Sequence, residues 1–284
     1  GITEHGNFEG SNILHVPHKP IEVAENARMS MTELNSSIKE ASRELLSVRR
    51  QRVAPARDEK VLTGWNGMML KSFAEAAIVF GSEEYLQAAK KNAIFLLENL
   101  RVDGRLLRTY KNGKANLKGY LEDYAMLADG LLALHEATLD LRWLEDAQGL
   151  VDGMIELFWD EQQGALFDTG KDHEVLLIRP RSTSDNALPS AGSVATEVLL
   201  RMATFTGRHN YAKLAATTLR SMAGLMSRYP TGFGNWLGAL DYHLSTPKEI
   251  AIVGSSNEES TQTLLRTVFA TYLPNKVVTG RYSE

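Results

Sequence analysis

The chain has 284 residues, 43% of them hydrophobic and 23% charged, with a formal net charge of −4. This is the composition of a soluble globular protein, and it gives no reason to expect a nucleic acid or an anionic membrane as partner. There is no Cys, which excludes disulfides, thiolate catalysis and cysteine-ligated metal from this stretch.

The first ten residues have no basic-then-apolar layout, and no apolar run approaches the roughly 18 residues of a membrane span. A single cytoplasmic domain over 1–284 is therefore expected. Helical periodicity begins loosely over 26–50. It is cleaner over 83–100, 142–158 and 209–228, each carrying one apolar stripe; in 142–158 the stripe comprises Trp143, Ala147, Leu150, Val151, Met154, Ile155 and Phe158. Segments 64–80, 121–138 and 189–206 are apolar nearly all round, which marks helices enclosed by others. The order is thus inner, outer, inner, outer. An aromatic-x-x-x-Ala pattern opens each outer helix, at Tyr85/Ala89, Trp143/Ala147 and Tyr211/Ala215. Repeated helical hairpins of this kind predict a mainly α fold, a partial α/α toroid, with a generic helical bundle as the plainer alternative.

The long connections follow the outer helices. Asn112-Gly113 predicts a tight turn within a β-hairpin over about 104–118. A second hairpin is expected between 165–169 and 174–179. Both should lie over one face of the ring, where function concentrates.

All inner helices run in one direction, so their N-termini share a face. There the sequence places Asp58, Glu59 and Lys60 with Trp65 and Asn66, and then Tyr120, Glu122, Asp123 and Tyr124. Asp185, Asn186, Pro189 and Ser190 open the third inner helix, and Phe233, Asn235 and Trp236 a fourth. Rings, amides and carboxylates together suit a polyhydroxylated ligand. Asp123 and Asp185 are the acid–base candidates, with Asp58 as a third carboxylate. Trp65 and Tyr124 would stack on a sugar, and Asn66, Lys60 and Ser190 would contact hydroxyls. Each also has a structural reading: Asp185 as a helix cap, Asp123 as a first-turn dipole partner, Trp65 as core, Lys60 as half of a surface ion pair. His135, on an apolar helix, reads as a core residue. No metal-ligand spacing and no dinucleotide fingerprint occurs, so no metal or cofactor is expected.

The motifs G-N-F-E-G-x-N-I-L (6–14), R-x-x-P-x-x-D-x-K-V-L-T-x-W-N-G (52–67), G-Y-L-E-D-Y-A (119–125), D-N-A-L-P-S (185–190) and E-I-A-I-V-G (249–254) stand in order along the chain. In these the chain resembles the C-terminal helical region of the YyaL-like, spermatogenesis-associated protein 20 family. It departs from that family at Ala54, where a basic residue is common, and at Ala191-Gly192-Ser193, which replaces the usual Gly-Asn-Ser. The resemblance implies a six-hairpin, glycosidase-like toroid similar to those of N-acylglucosamine 2-epimerase-like isomerases. It also implies a thioredoxin-like domain in cis and further toroid helices beyond this stretch. With about six hairpins needed to close such a ring and four inner helices countable, apolar end faces should promote self-association. Two functions follow. One is a sugar-processing enzyme, an isomerase, epimerase or glycoside hydrolase; the other is a non-catalytic binding or regulatory toroid serving the thioredoxin-like domain.

Overall fold

The computed structural model describes residues 2–255 and 258–282. The chain divides into two compact units, Gly1–Asp58 and Glu59–Glu284. In the first unit, α1 (Pro20–Ala27) starts on a proline and ends at Arg28, whose φ of 53° is left-handed. Helix α2 (Met31–Arg50) then starts from a capping box in which Ser30 and Glu33 satisfy each other's backbone N–H groups. The expected helix over 26–50 is therefore broken at Arg28 and begins anew at Met31.

The second unit opens with β1 (Val61–Leu62), α3 (Thr63–Phe80) and α4 (Glu83–Asn99). Strands β2 (Arg101–Val102), β3 (Arg105–Lys111) and β4 (Lys114–Lys118) follow, and then α5 (Leu121–Thr138), α6 (Leu141–Phe158), β5 (Trp159–Asp160) and β6 (Ala165–Leu166). Helices α7 (Ala191–Thr206), α8 (His209–Arg228) and α9 (Gly234–Leu244) complete the helical array. A β7–α10–β8 unit (Lys248–Gly254, Glu259–Ala270, Lys276–Tyr282) ends it. Helices α3, α5, α7 and α9 are inner and α4, α6 and α8 outer, as the alternation predicts. Ala89, Ala147 and Ala215, the small residues of the recurring pattern, are fully buried where outer helices meet inner ones.

Each inner-to-outer turn uses the same device. The inner helix ends on a left-handed residue (Gly81, Leu139 or Gly207), and the next residue, Ser82, Asp140 or Arg208, starts the outer helix. The parallel inner helices α3 and α5 approach until their backbones touch. A Cβ on Gly67 would lie 2.6 Å from Leu127 N, and one on Gly130 2.6 Å from Gly67 O.

Between the inner helices runs a chain of charges. The Asp129 carboxylate accepts from Lys71 Nζ and from an Arg201 guanidinium nitrogen, both at 2.9 Å. The other Arg201 nitrogen donates to Glu136 at 3.0 Å, and Glu136 also accepts from Val278 N of β8. Burial opposes the charge on Arg201, but the Glu136 and Asp129 carboxylates outweigh it and hold its pKa above the usual value. Asp129 likewise raises the pKa of Lys71. His135 is buried beside this network; one ring nitrogen pairs with Asp140 O and the other with Thr279 Oγ1, so the core reading holds. Strand β8 is thus seated on α5, and it pairs in parallel with β7, Lys248 opposite Lys276 through Gly254 opposite Tyr282.

The hairpin at 104–118 forms as β3–β4, turning at Asn112-Gly113 with positive φ at both residues. The second expected hairpin does not. Ala165–Leu166 pair instead with Trp159–Asp160, and 174–179 carry no strand. Asp160 Oδ1 accepts from Gln162 N and Gln163 N to make the turn that joins the pair. Among the described residues no helix is long and apolar enough to cross a membrane.

Two stability measurements check this account. Gly207→Ala, at a φ of 67°, should lower stability by about 1–2 kcal/mol, while Gly224→Ala, in open space within α8, should raise it by up to about 1 kcal/mol. Arg201→Met should lower it by about 3–5 kcal/mol, because Asp129 and Glu136 keep their charges and lose the guanidinium. Urea unfolding of the three variants reads all of these.

Candidate functional site

The inner-helix N-termini do share one face, and carboxylates tie them together. Asp123 is 1% exposed. Its Oδ1 accepts from Gly64 N of α3 at 2.9 Å, and its Oδ2 from Tyr120 N at 2.9 Å and from Arg108 at 3.1 Å. It therefore caps its own helix and staples the first turn of the neighbouring one. Asp185 does the same one step around the ring. Its Oδ1 accepts from Ser190 N and Ser193 Oγ at the start of α7, and its Oδ2 from Asn235 N and, at 3.4 Å, Trp236 N at the start of α9. The recurring acids at inner-helix starts are braces between adjacent repeats. Every oxygen of both is engaged, so neither is presented to a ligand as a free acid or base.

The other candidates disperse. Tyr124 is 2% exposed, and its hydroxyl accepts from Arg105 at 2.6 Å and Leu106 N at 3.0 Å while its ring packs edge-on against Phe158. It is a core residue and offers no face to a sugar, a correction to its expected stacking role. The Asn66 amide donates to Leu62 O within its own first turn, and Asn66 O accepts from Asn92 of α4. Trp65 is 57% exposed on the first turn of α3. Lys60 is exposed in the extended approach to that helix, and Asp58 ends the N-terminal unit. Ser190 Oγ accepts from Ser193 N as the α7 cap, and the residue lines a cavity.

That cavity, about 330 Å³, opens between the N-termini of α5 and α7. Its wall is Tyr120, Glu122, Asp168, Ser182, Ser184, Leu188, Pro189, Ser190 and Ala191. Tyr120 and Glu122 belong to the start of the second inner helix, whereas sequence spacing does not single out Asp168, Ser182 or Ser184. They sit on an irregular connection with no periodicity to expose them; the one usable signal was an acid directly after an apolar strand, Leu166-Phe167-Asp168.

The local chain explains their placement. Asp168 O accepts from Leu121 N, which pins the connection to the start of α5, and Asp168 N donates to Pro180 O. Asp168 Oδ2 accepts from both Ser182 N and Ser182 Oγ, at 2.8 and 2.7 Å. Burial raises the Asp168 pKa against the pull of these bonds. Glu122 is ion-paired with Arg108, 2.5 Å away, whose guanidinium lies 4.8 Å from the Tyr120 ring centre. Tyr120 also stacks on His173 from the connection above. Asp172 gathers Arg105 and Lys118 from the β-hairpin, so hairpin and connection are fastened together over the mouth. Two acidic residues with different surroundings, a tyrosine and three serines thus line one volume. Among the described residues no group of His, Asp and Glu could hold a metal ion.

The helical hairpins, parallel inner helices and shared mouth define an α/α toroid of the six-hairpin, glycosidase-like class, present here as part of a ring. In keeping with this, the cellobiose 2-epimerase of Bacillus thermoamylovorans superposes with a TM-score of 0.50 at 16% identity, over 59% of this chain and 45% of that one. Human spermatogenesis-associated protein 20 is 31% identical over 299 residues, 98% of this chain and 38% of that protein. The rat protein is 32% identical over 287 residues, 96% of this chain and 36% of its own. The chain belongs to the spermatogenesis-associated protein 20 family and spans little more than a third of the length of these relatives. No family model matches it.

The brace carries its own test. Burial pushes the Asp123 pKa from 3.8 up to about 6, against the pull of Tyr120 N, Arg108 and Gly64 N. The native protein then binds this proton more tightly than the unfolded chain. Its stabilising effect is full below about pH 4 and is lost as the pH rises through about 6. Asp123→Asn should cost about 1–3 kcal/mol, since the new NH2 meets Tyr120 N–H and Arg108, both donors. The melting-temperature gap between wild type and variant should narrow from pH 4 to pH 6.5.

Proposed function

We propose that the mouth cavity binds a sugar-like, polyhydroxylated ligand and that the toroid is carbohydrate-processing. The observation that carries this is the convergence of the Glu122 and Asp168 carboxylates with Tyr120 and the Ser182, Ser184 and Ser190 hydroxyls on one cavity. Hydroxyl-rich ligands need many short-range donors and acceptors around a concave site, and this wall supplies them. The superposition on a cellobiose 2-epimerase is in accord with the reading.

Proton transfer falls to the two cavity carboxylates. Asp168, whose burial favours the neutral acid, is the proton donor; Glu122, ion-paired with Arg108, is the acceptor. Asp123 positions the α5 start that carries Glu122, and Asp168 is held beside that start by its carbonyl, which accepts from Leu121 N. Epimerisation, isomerisation and glycoside cleavage all draw on such a pair.

Asp168→Asn tests the reading with little risk to the fold, since the amide oxygen still accepts both Ser182 bonds. A panel of methyl glycosides and cellobiose should include one that raises the wild-type melting temperature, and Asp168→Asn should weaken that shift. Turnover of the matching 4-nitrophenyl glycoside or reducing sugar should fall by about 10²–10⁴. A panel that leaves the wild-type melting temperature unmoved counts against the proposal.

A further inference from the structure

In the connection that carries Asp168, one histidine has both ring nitrogens committed. The His173 side chain is 12% exposed. Its Nδ1 accepts from Gly170 N at 2.9 Å. A backbone amide can only donate, so Nδ1 carries no proton in this arrangement and the ring is neutral, its hydrogen on Nε2. Nε2 lies 3.4 Å from the Lys118 carbonyl of β4, which can accept that hydrogen. His173 N in turn donates to Gly170 O, so the turn is closed by backbone and ring together.

The ring also supports the cavity wall. Tyr120, which lines the cavity, stacks on it with ring centres 5.1 Å apart and planes 20° from parallel. Asp168, two residues before Gly170, lines the same cavity. His173 thus joins the start of α5 to the connection through one imidazole.

Among the described residues, charged or titratable groups reach this imidazole from several elements. Asp172 Oδ1, on its own turn, lies 3.4 Å from Nδ1. Arg105 of β3 and Lys118 of β4 both pair with the Asp172 carboxylate. From α5 comes Tyr120, with Arg108 over its ring and Glu122 paired to Arg108. From α6 the Phe158 ring approaches Gly170, and Leu157 O accepts from Lys171 N. A second proton on the imidazole would sit on Nδ1, between an N–H that can only donate and a carboxylate that can accept. Protonation therefore breaks the Gly170 bond and turns Nδ1 to Asp172, in competition with Arg105 and Lys118.

We infer that His173 is a proton-sensitive positioning residue: its neutral ring holds the turn at Gly170 and the Tyr120 side of the cavity wall, and protonation releases both. Imidazole is the side chain that titrates between about pH 5 and 8. The wall is firm at neutral pH and above and loosens as the pH falls, whatever ligand the cavity takes.

The test is nuclear magnetic resonance on the whole chain, wild type beside His173→Asn and His173→Ala. The Asn amide oxygen can stand where Nδ1 does and accept from Gly170 N, but it does not titrate; Ala offers no acceptor. In wild type at about pH 8 the imidazole nitrogen shifts should report a proton on Nε2. Between about pH 8 and 5.5 the Gly170 amide, corrected for intrinsic exchange, should lose about three- to tenfold in protection, the effect of one neutral hydrogen bond. The Tyr120 ring signals should move over the same interval. In His173→Asn the protection should persist at both pH values, and in His173→Ala it should be low at both. A proton on Nδ1 at the higher pH, or a Gly170 amide as well protected in His173→Ala as in wild type, overturns the assignment. So does a pH dependence that survives in His173→Asn, because it would then belong to Asp123 or Asp168, whose pKa values burial raises.

Discussion

The architecture depends on the buried pairing of Asp129 with Arg201. Both are among the least exposed charged residues, and each sits within a largely buried inner helix. Removing such charges from water costs several kcal/mol each, so the pair is tolerable only because every group finds further partners. Arg201 spans Asp129 and Glu136, Asp129 also takes Lys71, and Glu136 takes the β8 backbone. Hydrophobic contact alone would let three parallel helices slide; these bonds admit one register. They also decide where the β7–α10–β8 unit docks, since Glu136 and its neighbour His135 receive consecutive residues of β8.

The same economy operates at the mouth, with carboxylates facing backbone. A helix start leaves N–H groups unsatisfied, and four starts brought side by side concentrate them. Asp123 and Asp185 each satisfy donors of two neighbouring helices, so one side chain caps and couples at once. Negative charge is favoured there by the helix dipoles. The wall of the cavity that rests on such starts is held in place by these bonds.

Much of the fold was legible because periodicity and turn chemistry are local. The inner and outer segments, the Asn112-Gly113 hairpin and the common face of the inner-helix starts all follow from spacing. The helix expected over 26–50 failed at Arg28, an ordinary residue held in left-handed backbone, which spacing cannot reveal. The hairpin expected from 165–179 failed because both 159–160 and 174–179 could pair with Ala165–Leu166, and Asp160, whose carboxylate accepts from Gln162 N and Gln163 N, makes the turn on the earlier side. At the mouth, side-chain orientation is not legible from spacing. Tyr124 and Asp123 adjoin Glu122 in sequence, yet successive helical positions point about 100° apart, so Glu122 reaches the cavity while Tyr124 enters the core and Asp123 turns to α3.

The sequence by itself determined the helices, their alternation and the clustering of acids and aromatics at one end, because these are properties of segments a few turns long. Tertiary structure decided which acids are braces and which line the cavity. Asp123 and Asp168 are both aspartates near apolar runs, and nothing in their immediate neighbours separates them. The difference lies in donors remote in the chain: Gly64 N and Arg108 engage both oxygens of Asp123, whereas Ser182 engages only one oxygen of Asp168 among the described bonds. A carboxylate's role is set by how many of its lone pairs the fold has already used, and that count exists only once the chain is folded.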